Sequence, residues 1–174
     1  ISAAPMPLDG HDSLDAALEA ALTDPERRVL VDLAAQTQGS LVRWLQEAGV
    51  ADLAAEQGVQ LNYWHVMDAG RDSVDLLARW LDGPGATLPL VLVLNELRGE
   101  RFDQLEASGL LARATAQGAR TMRLRRLPDV LLQKVDATGA SFWAALQPGT
   151  LGLLDRQRLK VWLQRTGEAL QPLA

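Results

Sequence analysis

The run LPLVLVLN at residues 88–95 decides the fold. Its Val and Leu residues do not alternate with polar ones, a pattern typical of a strand buried on both faces of a parallel sheet. Further short apolar runs at residues 29–32, 59–66 and 119–124 predict three more strands, each separated from the next by helical periodicity. Strands that alternate with helices predict an α/β fold, a three-layer sandwich with a mainly parallel sheet.

The composition predicts an ordinary folded chain. At 174 residues, 48% hydrophobic and 22% charged, we expect a single soluble domain over residues 1–174, with residues 1–11 irregular. The absence of cysteine excludes a disulfide framework, thiolate catalysis and a cysteine zinc site. No apolar run reaches the roughly 18 residues that a membrane-spanning helix needs, so we expect no transmembrane segment.

The net charge of −5 conceals an uneven distribution. Residues 1–112 carry a net charge of −11, whereas residues 113–165 carry +7. The densest basic cluster comprises Arg120, Arg123, Arg125 and Arg126. Such a cluster fits contact with DNA phosphate or nucleotide, which is independent of base sequence and sensitive to salt. It also fits the exposed face of an edge strand whose charges prevent aggregation, and both interpretations stay open.

Polar residues that follow the predicted strands are the first candidates for chemistry, because ligands of parallel sheets bind outside the carboxyl ends of the strands. Asp32 ends the apolar run at residues 29–31 and is followed by small residues. An aspartate in this position suits a magnesium-phosphate site, where it acts as a hard oxygen ligand, usually through water. The alternative is that Asp32 caps a helix or a loop.

The motifs in this order resemble the ParA/MinD-type P-loop ATPases, over roughly residues 12–170. Residues 29–37 (VLVDLAAQT) resemble the family's second magnesium-side motif, and residues 90–95 (LVLVLN) resemble the strand whose terminal Asn contacts adenine. Residues 122–128 (MRLRRLP) resemble the last core strand and the proline-bearing loop beside the base. Within the group, the likeness is closest to members encoded near plasmid mobilisation and conjugation genes.

The resemblance implies a P-loop NTPase-like fold of the deviant Walker A class and a cytoplasmic ATPase that acts in plasmid partition or mobilisation. It implies ATP and Mg²⁺ as cofactors, with Asp32 as the magnesium-side and switch aspartate. Asn95, Leu127 and Pro128 would lie on the adenine side. The implied partners are the nucleotide, a second copy in an ATP-dependent homodimer, and plasmid DNA or a mobilisation or partition protein.

The defining phosphate loop of that family is absent from the sequence. No G-x-x-x-x-G-K-[ST] or K-G-G-x-G-K pattern occurs, and lysine is found only at positions 134 and 160. Together with the start at Ile1, this predicts the C-terminal part of a nucleotide-binding domain that lacks its N-terminal strand and P-loop. The alternative is a non-hydrolysing pseudo-NTPase, an α/β binding module that regulates a protein or DNA partner.

Overall fold

A small parallel sheet organises the chain. The computed structural model describes residues 12–24, 26–34 and 36–173. Its three strands are paired in the order β1, β2, β3, with both pairings parallel. The strands are β1 (Tyr63–Met67), β2 (Leu90–Asn95) and β3 (Arg120–Leu124). The predicted α/β class with a parallel sheet is therefore confirmed.

The central strand is buried as its sequence predicts. Val91 and Leu92 are fully inaccessible to solvent, although successive side chains of a strand point to opposite faces of the sheet. On one face, Val91 and Val93 pack with Met122 of β3 and with Leu173 near the end of the described chain. Burial on both faces explains why β2 is an unbroken run of Val and Leu.

Nine α-helices form in the described part of the chain. Three 3₁₀ turns accompany them, at Pro84–Thr87, Glu96–Arg98 and Gln171–Leu173. None of these helices combines the length and the apolar character needed to cross a membrane. The helices are α1 (Asp12–Leu22), α2 (Gln38–Glu47), α3 (Val50–Glu56), α4 (Arg71–Asp82), α5 (Asp103–Ser108), α6 (Leu110–Ala116), α7 (Asp129–Ala137), α8 (Phe142–Ala145) and α9 (Leu153–Leu170).

The chain divides into two compact units. The first contains the described residues up to Asn62 together with Trp80–Pro89, and the second contains Tyr63–Arg79 and the described residues from Leu90 onward. The sheet therefore belongs entirely to the second unit. The expected single domain stays a prediction.

The second unit contains a further apolar cluster beyond the sheet. Its buried members come from the segments around α7, α8 and α9: Leu127, Leu131, Val135, Ala145, Leu151 and Leu159. The end of α9 packs instead on the sheet, where Ala169 and Leu170 contact the cluster around Val91. The last helix thus contributes to both apolar clusters of this unit.

The predicted strand at residues 29–32 is wrong. The segment is irregular, and Leu30 is 90% exposed. Val29 and Val31 are exposed at 41% and 45%. High β-propensity alone does not form a strand, because a strand requires a neighbour to complete its hydrogen bonds. No other described segment pairs with residues 29–32.

Two other element boundaries differ from the sequence prediction. The strand expected at residues 59–66 begins only at Tyr63, whose register partner is Leu90. Pro89 precedes that partner and has no N–H to donate, so the ladder starts after it. The helical periodicity between residues 95 and 119 predicts helical structure there, and the structure divides it at Gly109, whose φ of 72° ends α5 and begins α6.

Candidate functional site

The carboxyl ends of the three strands lie side by side and form the edge where a parallel sheet binds ligands. Asp68 follows β1, Asn95 ends β2, and Arg125 follows β3. In the register, Asn95 is the Cα partner of Leu124, the last residue of β3. The sheet thus brings together polar segments that are distant in sequence.

Asp68 closes the first turn of α4. Its Oδ1 accepts the N–H of Gly70 at 2.9 Å and the hydroxyl of Ser73 at 2.8 Å, and Arg98 lies 3.1 Å from its Oδ2. The pKa of Asp68 is lowered, first by the Gly70 bond, then by the Ser73 bond, with a smaller contribution from the Arg98 charge. The carboxylate of Asp68 therefore already occupies the N-terminus of α4, where an external anion would otherwise bind.

His65 is buried behind this turn. It is 5% exposed, and its Nε2 lies 3.2 Å from the carbonyl oxygen of Ser73. Because a carbonyl oxygen only accepts, Nε2 carries the hydrogen in this contact. Burial lowers the pKa of His65 and outweighs the opposing effect of the Ser73 bond, so the ring is neutral at pH 7. Its role is structural: it joins β1 to α4.

Asn95 stands at the centre of the edge. Its Oδ1 accepts the N–H of Leu97 at 3.1 Å and thereby caps the 3₁₀ turn Glu96–Arg98. Within the described residues, its Nδ2 group donates to no partner. A carboxamide offers one donor and one acceptor side by side, the pair that matches N7 and N6 of adenine. The sequence predicts that Asn95 contacts adenine; the residue lies at the carboxyl end of β2, and the contact itself stays a prediction.

A buried carboxylate beside Asn95 was not predicted. Glu96 is 8% exposed, and its Oε1 lies 3.2 Å from Nη1 of Arg123 on the neighbouring strand. Arg123 also donates to the carbonyl oxygen of Glu100 at 3.0 Å, and its guanidinium lies 5.5 Å from the centre of the Phe102 ring. The sequence feature that could have indicated this pair is an acidic residue, Glu96, directly after a buried strand, together with an arginine, Arg123, on the next strand.

The other predicted adenine-side residues lie in the segment after β3. Leu127 is 5% exposed and packs in the apolar cluster with Leu131. Pro128 is exposed, and its carbonyl oxygen accepts the N–H of Leu131 at 2.8 Å at the start of α7. The indole of Trp162 donates to the carbonyl oxygen of Arg125 at 2.7 Å. Packing and this bond together fix the segment.

The four arginines of the basic cluster do not act as one set. Arg120 donates to the carbonyl oxygen of Pro172 at 3.2 Å, and Arg126 pairs with Asp129, which raises the pKa of Arg126. Arg123 is held by Glu96. Among the described residues, no carboxylate pairs with the side chain of Arg125. Its guanidinium is the member of the cluster best able to meet an external anion.

Asp32 lies in the first unit, in the irregular segment described above. Its side chain is exposed and makes no hydrogen bond or ion pair with another described residue. Nowhere in the described parts of the chain do three His, Asp or Glu side chains gather closely enough to hold a metal ion. The metal role of Asp32 stays a prediction.

The first unit also contains an open groove of about 680 Å³. Apolar side chains line much of it, including Leu45, Val59 and Leu61, and Asp52 is its one charged lining residue. None of the predicted adenine-side residues lines it.

Comparison of the chain with protein-family models, with curated proteins and with solved structures found no significant match.

Proposed function

We propose that this chain recognises an adenine nucleotide at the carboxyl ends of β2 and β3. In this proposal it is the base-binding part of a ParA/MinD-like ATPase that dimerises with ATP and acts in plasmid partition or mobilisation. One observation carries the proposal: β2 and β3 are neighbours, and Asn95 is the register partner of Leu124. Asn95 and the segment at residues 125–128 therefore share one edge, as contact with a single base requires.

The chemistry of that edge suits a purine base. The free Nδ2 group of Asn95 donates to N7 of adenine, while the second lone pair of its Oδ1 accepts from the exocyclic amine. Guanine carries a carbonyl at that position and cannot donate, so the same amide disfavours it. Pro128 offers an exposed apolar ring to the face of the base, and Leu127 anchors the segment in the core.

In this proposal, residues of this chain bind the base of the nucleotide and do not bind its phosphates. The sequence contains no P-loop motif, and no group of three or more His, Asp or Glu side chains among the described residues could hold a metal ion. When bound, ATP with Mg²⁺ would supply the phosphoryl chemistry. The contribution of Asn95 and its neighbours is to bind and orient the base.

Nuclear magnetic resonance titration of the ¹⁵N-labelled chain with adenosine and with guanosine tests the proposal. We expect adenosine to shift the signals of Asn95, Leu97 and Leu127, with weaker binding of guanosine. Asn95→Ala should weaken adenosine binding by about tenfold, the cost of losing its hydrogen bonds to the base.

The matched control is Asn62→Ala, which removes an exposed carboxamide that precedes β1. It should leave the affinity for adenosine unchanged. Equal binding of the two nucleosides, or equal affinities of the Asn95→Ala variant and the parent chain for adenosine, would refute the proposal.

The alternative is an α/β binding module without hydrolysis that regulates a protein or DNA partner. The position of Asp32 favours it, because an exposed aspartate outside any strand is not organised for catalysis. For a DNA partner, Arg125 is the residue to examine, since the other three arginines of the cluster are engaged within the chain.

Fluorescence anisotropy with duplex DNA at two salt concentrations tests this alternative. Arg125→Glu should weaken binding several-fold and flatten the salt dependence, because one phosphate contact is lost. Arg43→Glu makes the same charge change on α2 and controls for net charge. If the parent chain does not bind DNA at low salt, or if the two variants bind equally, the DNA alternative fails.

A further inference from the structure

Arg123 on β3 contacts two positions of the loop that follows β2, Glu96 and Glu100. The Nη1 atom of Arg123 lies 3.2 Å from Oε1 of Glu96 and 3.0 Å from the carbonyl oxygen of Glu100. The first of these contacts is at the start of the loop, and the second is at its end. A single side chain therefore ties both parts of the loop to the neighbouring strand.

The contact with Glu96 is strongly constrained by burial. The side chain of Glu96 is 11% exposed, whereas that of Arg123 is 48% exposed. A buried carboxylate without a compensating charge is costly, so Glu96 remains bound to its partner. The Phe102 ring lies beneath the guanidinium at 5.5 Å and restricts the arginine further.

The loop held in this way contains the hydrogen bond that orients Asn95. Oδ1 of Asn95 accepts the N–H of Leu97, one residue beyond Glu96. Fixing Glu96 fixes the 3₁₀ turn Glu96–Arg98, and the turn fixes the plane of the Asn95 carboxamide.

We propose that Arg123 is a positioning residue for base recognition, which aims the Nδ2 group of Asn95 through its hold on Glu96. The inference rests on the function proposed above. In this role Arg123 orients Asn95 and does not contact the phosphate of DNA or of a nucleotide.

Arg123→Gln tests this in the ¹⁵N-labelled full chain, first without ligand. Hydrogen exchange of the Leu97 N–H should become about tenfold faster, because the turn that contains it is released. Arg120→Gln is the matched control: Arg120 lies on the same strand, but donates to the carbonyl oxygen of Pro172 outside the loop. That variant should leave Leu97 exchange unchanged.

The second measurement is the ratio of adenosine to guanosine affinity. Arg123→Gln should reduce this ratio by about tenfold, since a misaligned carboxamide no longer distinguishes the two bases. A purely structural role would lower both affinities together and leave the ratio unchanged. Arg123→Lys keeps a positive charge beside Glu96, and should give intermediate exchange and an intermediate ratio even if Arg123→Gln fails to fold.

The outcomes separate this inference from the proposed function. Leu97 exchange that is identical in the parent and in both Arg123 variants overturns the positioning role, and so does an unchanged affinity ratio. If exchange accelerates while the parent chain binds neither nucleoside, the proposed function fails and the orientation of Asn95 by Arg123 stands.

Discussion

The Nε2 atom of His65 lies 3.2 Å from the carbonyl oxygen of Ser73, and this contact joins the middle of β1 to the first turn of α4. Ser73 uses its hydroxyl at the same time to hold Asp68. One residue therefore connects a buried histidine with a carboxylate at the ligand-binding edge of the sheet. Both titrating groups have shifted pKa values, and each shift predicts a measurable pH dependence.

The stability of the chain should fall as the pH drops below the ordinary pKa of histidine. Because burial lowers the pKa of His65, the unfolded chain binds more protons than the folded chain between the folded pKa and about 6.5. The free energy of unfolding should therefore decrease across that window, and the contribution of His65 should level off below it. Urea unfolding at several pH values measures this.

His65→Gln should flatten that pH dependence, because the amide keeps a donor for Ser73 but does not titrate in this range. The sequence contains a second histidine, and His11→Gln controls for the loss of one histidine. Equal pH slopes in the parent chain and the His65→Gln variant would exclude His65 as the source.

Ser73→Ala should raise the pKa of Asp68 toward its ordinary value. The variant removes a hydroxyl that donates to the carboxylate at 2.8 Å and leaves the stronger Gly70 contribution in place. Titration of the Asp68 carboxyl carbon by nuclear magnetic resonance measures the shift. Ser141→Ala removes a hydroxyl that caps α8, and should leave the Asp68 titration unchanged.

The same change alters acid stability in a defined direction. A depressed carboxyl pKa stabilises the folded chain above the ordinary aspartate pKa, and this contribution is lost as the pH falls through the folded value. The decrease in the free energy of unfolding between neutral and acidic pH should therefore be smaller in Ser73→Ala than in the parent chain. An Asp68 pKa that is identical in parent and variant would contradict the assigned role of the hydroxyl.

Asp15→Ala should destabilise the first unit by about 1–3 kcal/mol. The indole of Trp44, which is 5% exposed, donates to Oδ1 of Asp15 at 2.7 Å, and the variant leaves that N–H without its acceptor. Asp12→Ala removes an equal charge from the same first turn of α1. It therefore controls for the loss of a favourable interaction with the helix dipole. Urea unfolding that gives equal losses for the two variants would exclude a specific role of the Trp44 bond.

Gly85→Ala should cost about 1–3 kcal/mol of stability by overpacking. A Cβ atom at position 85 would lie 2.7–2.8 Å from atoms of the Trp80 ring, which is 1% exposed and has little room to move. Gly39→Ala, where a Cβ meets nothing within 4 Å, should instead be neutral or slightly stabilising on the helical backbone of α2. Thermal or urea unfolding of both variants measures the difference, and equal stabilities would contradict the close contact with Trp80.

The sequence by itself determined the α/β class, the central strand and the residues that end it. The unbroken apolar run at residues 90–94 is typical of a strand covered on both faces, and an Asn that follows such a strand lies at the carboxyl edge of the sheet. These predictions rest on the hydrophobic pattern and on the order of the elements along the chain.

Only the tertiary structure decided which segments find partners. Residues 29–31 have the composition of a strand, yet remain exposed because no described neighbour completes their hydrogen bonds. The arginine cluster has the sequence of one basic surface, but Glu96, 27 residues away in the chain, pairs with Arg123. Arg126 pairs with Asp129, a contact between near neighbours in sequence. Pairing depends on distances between residues far apart in the chain, and for that reason the Arg123 contact with Glu96 emerges only from the fold.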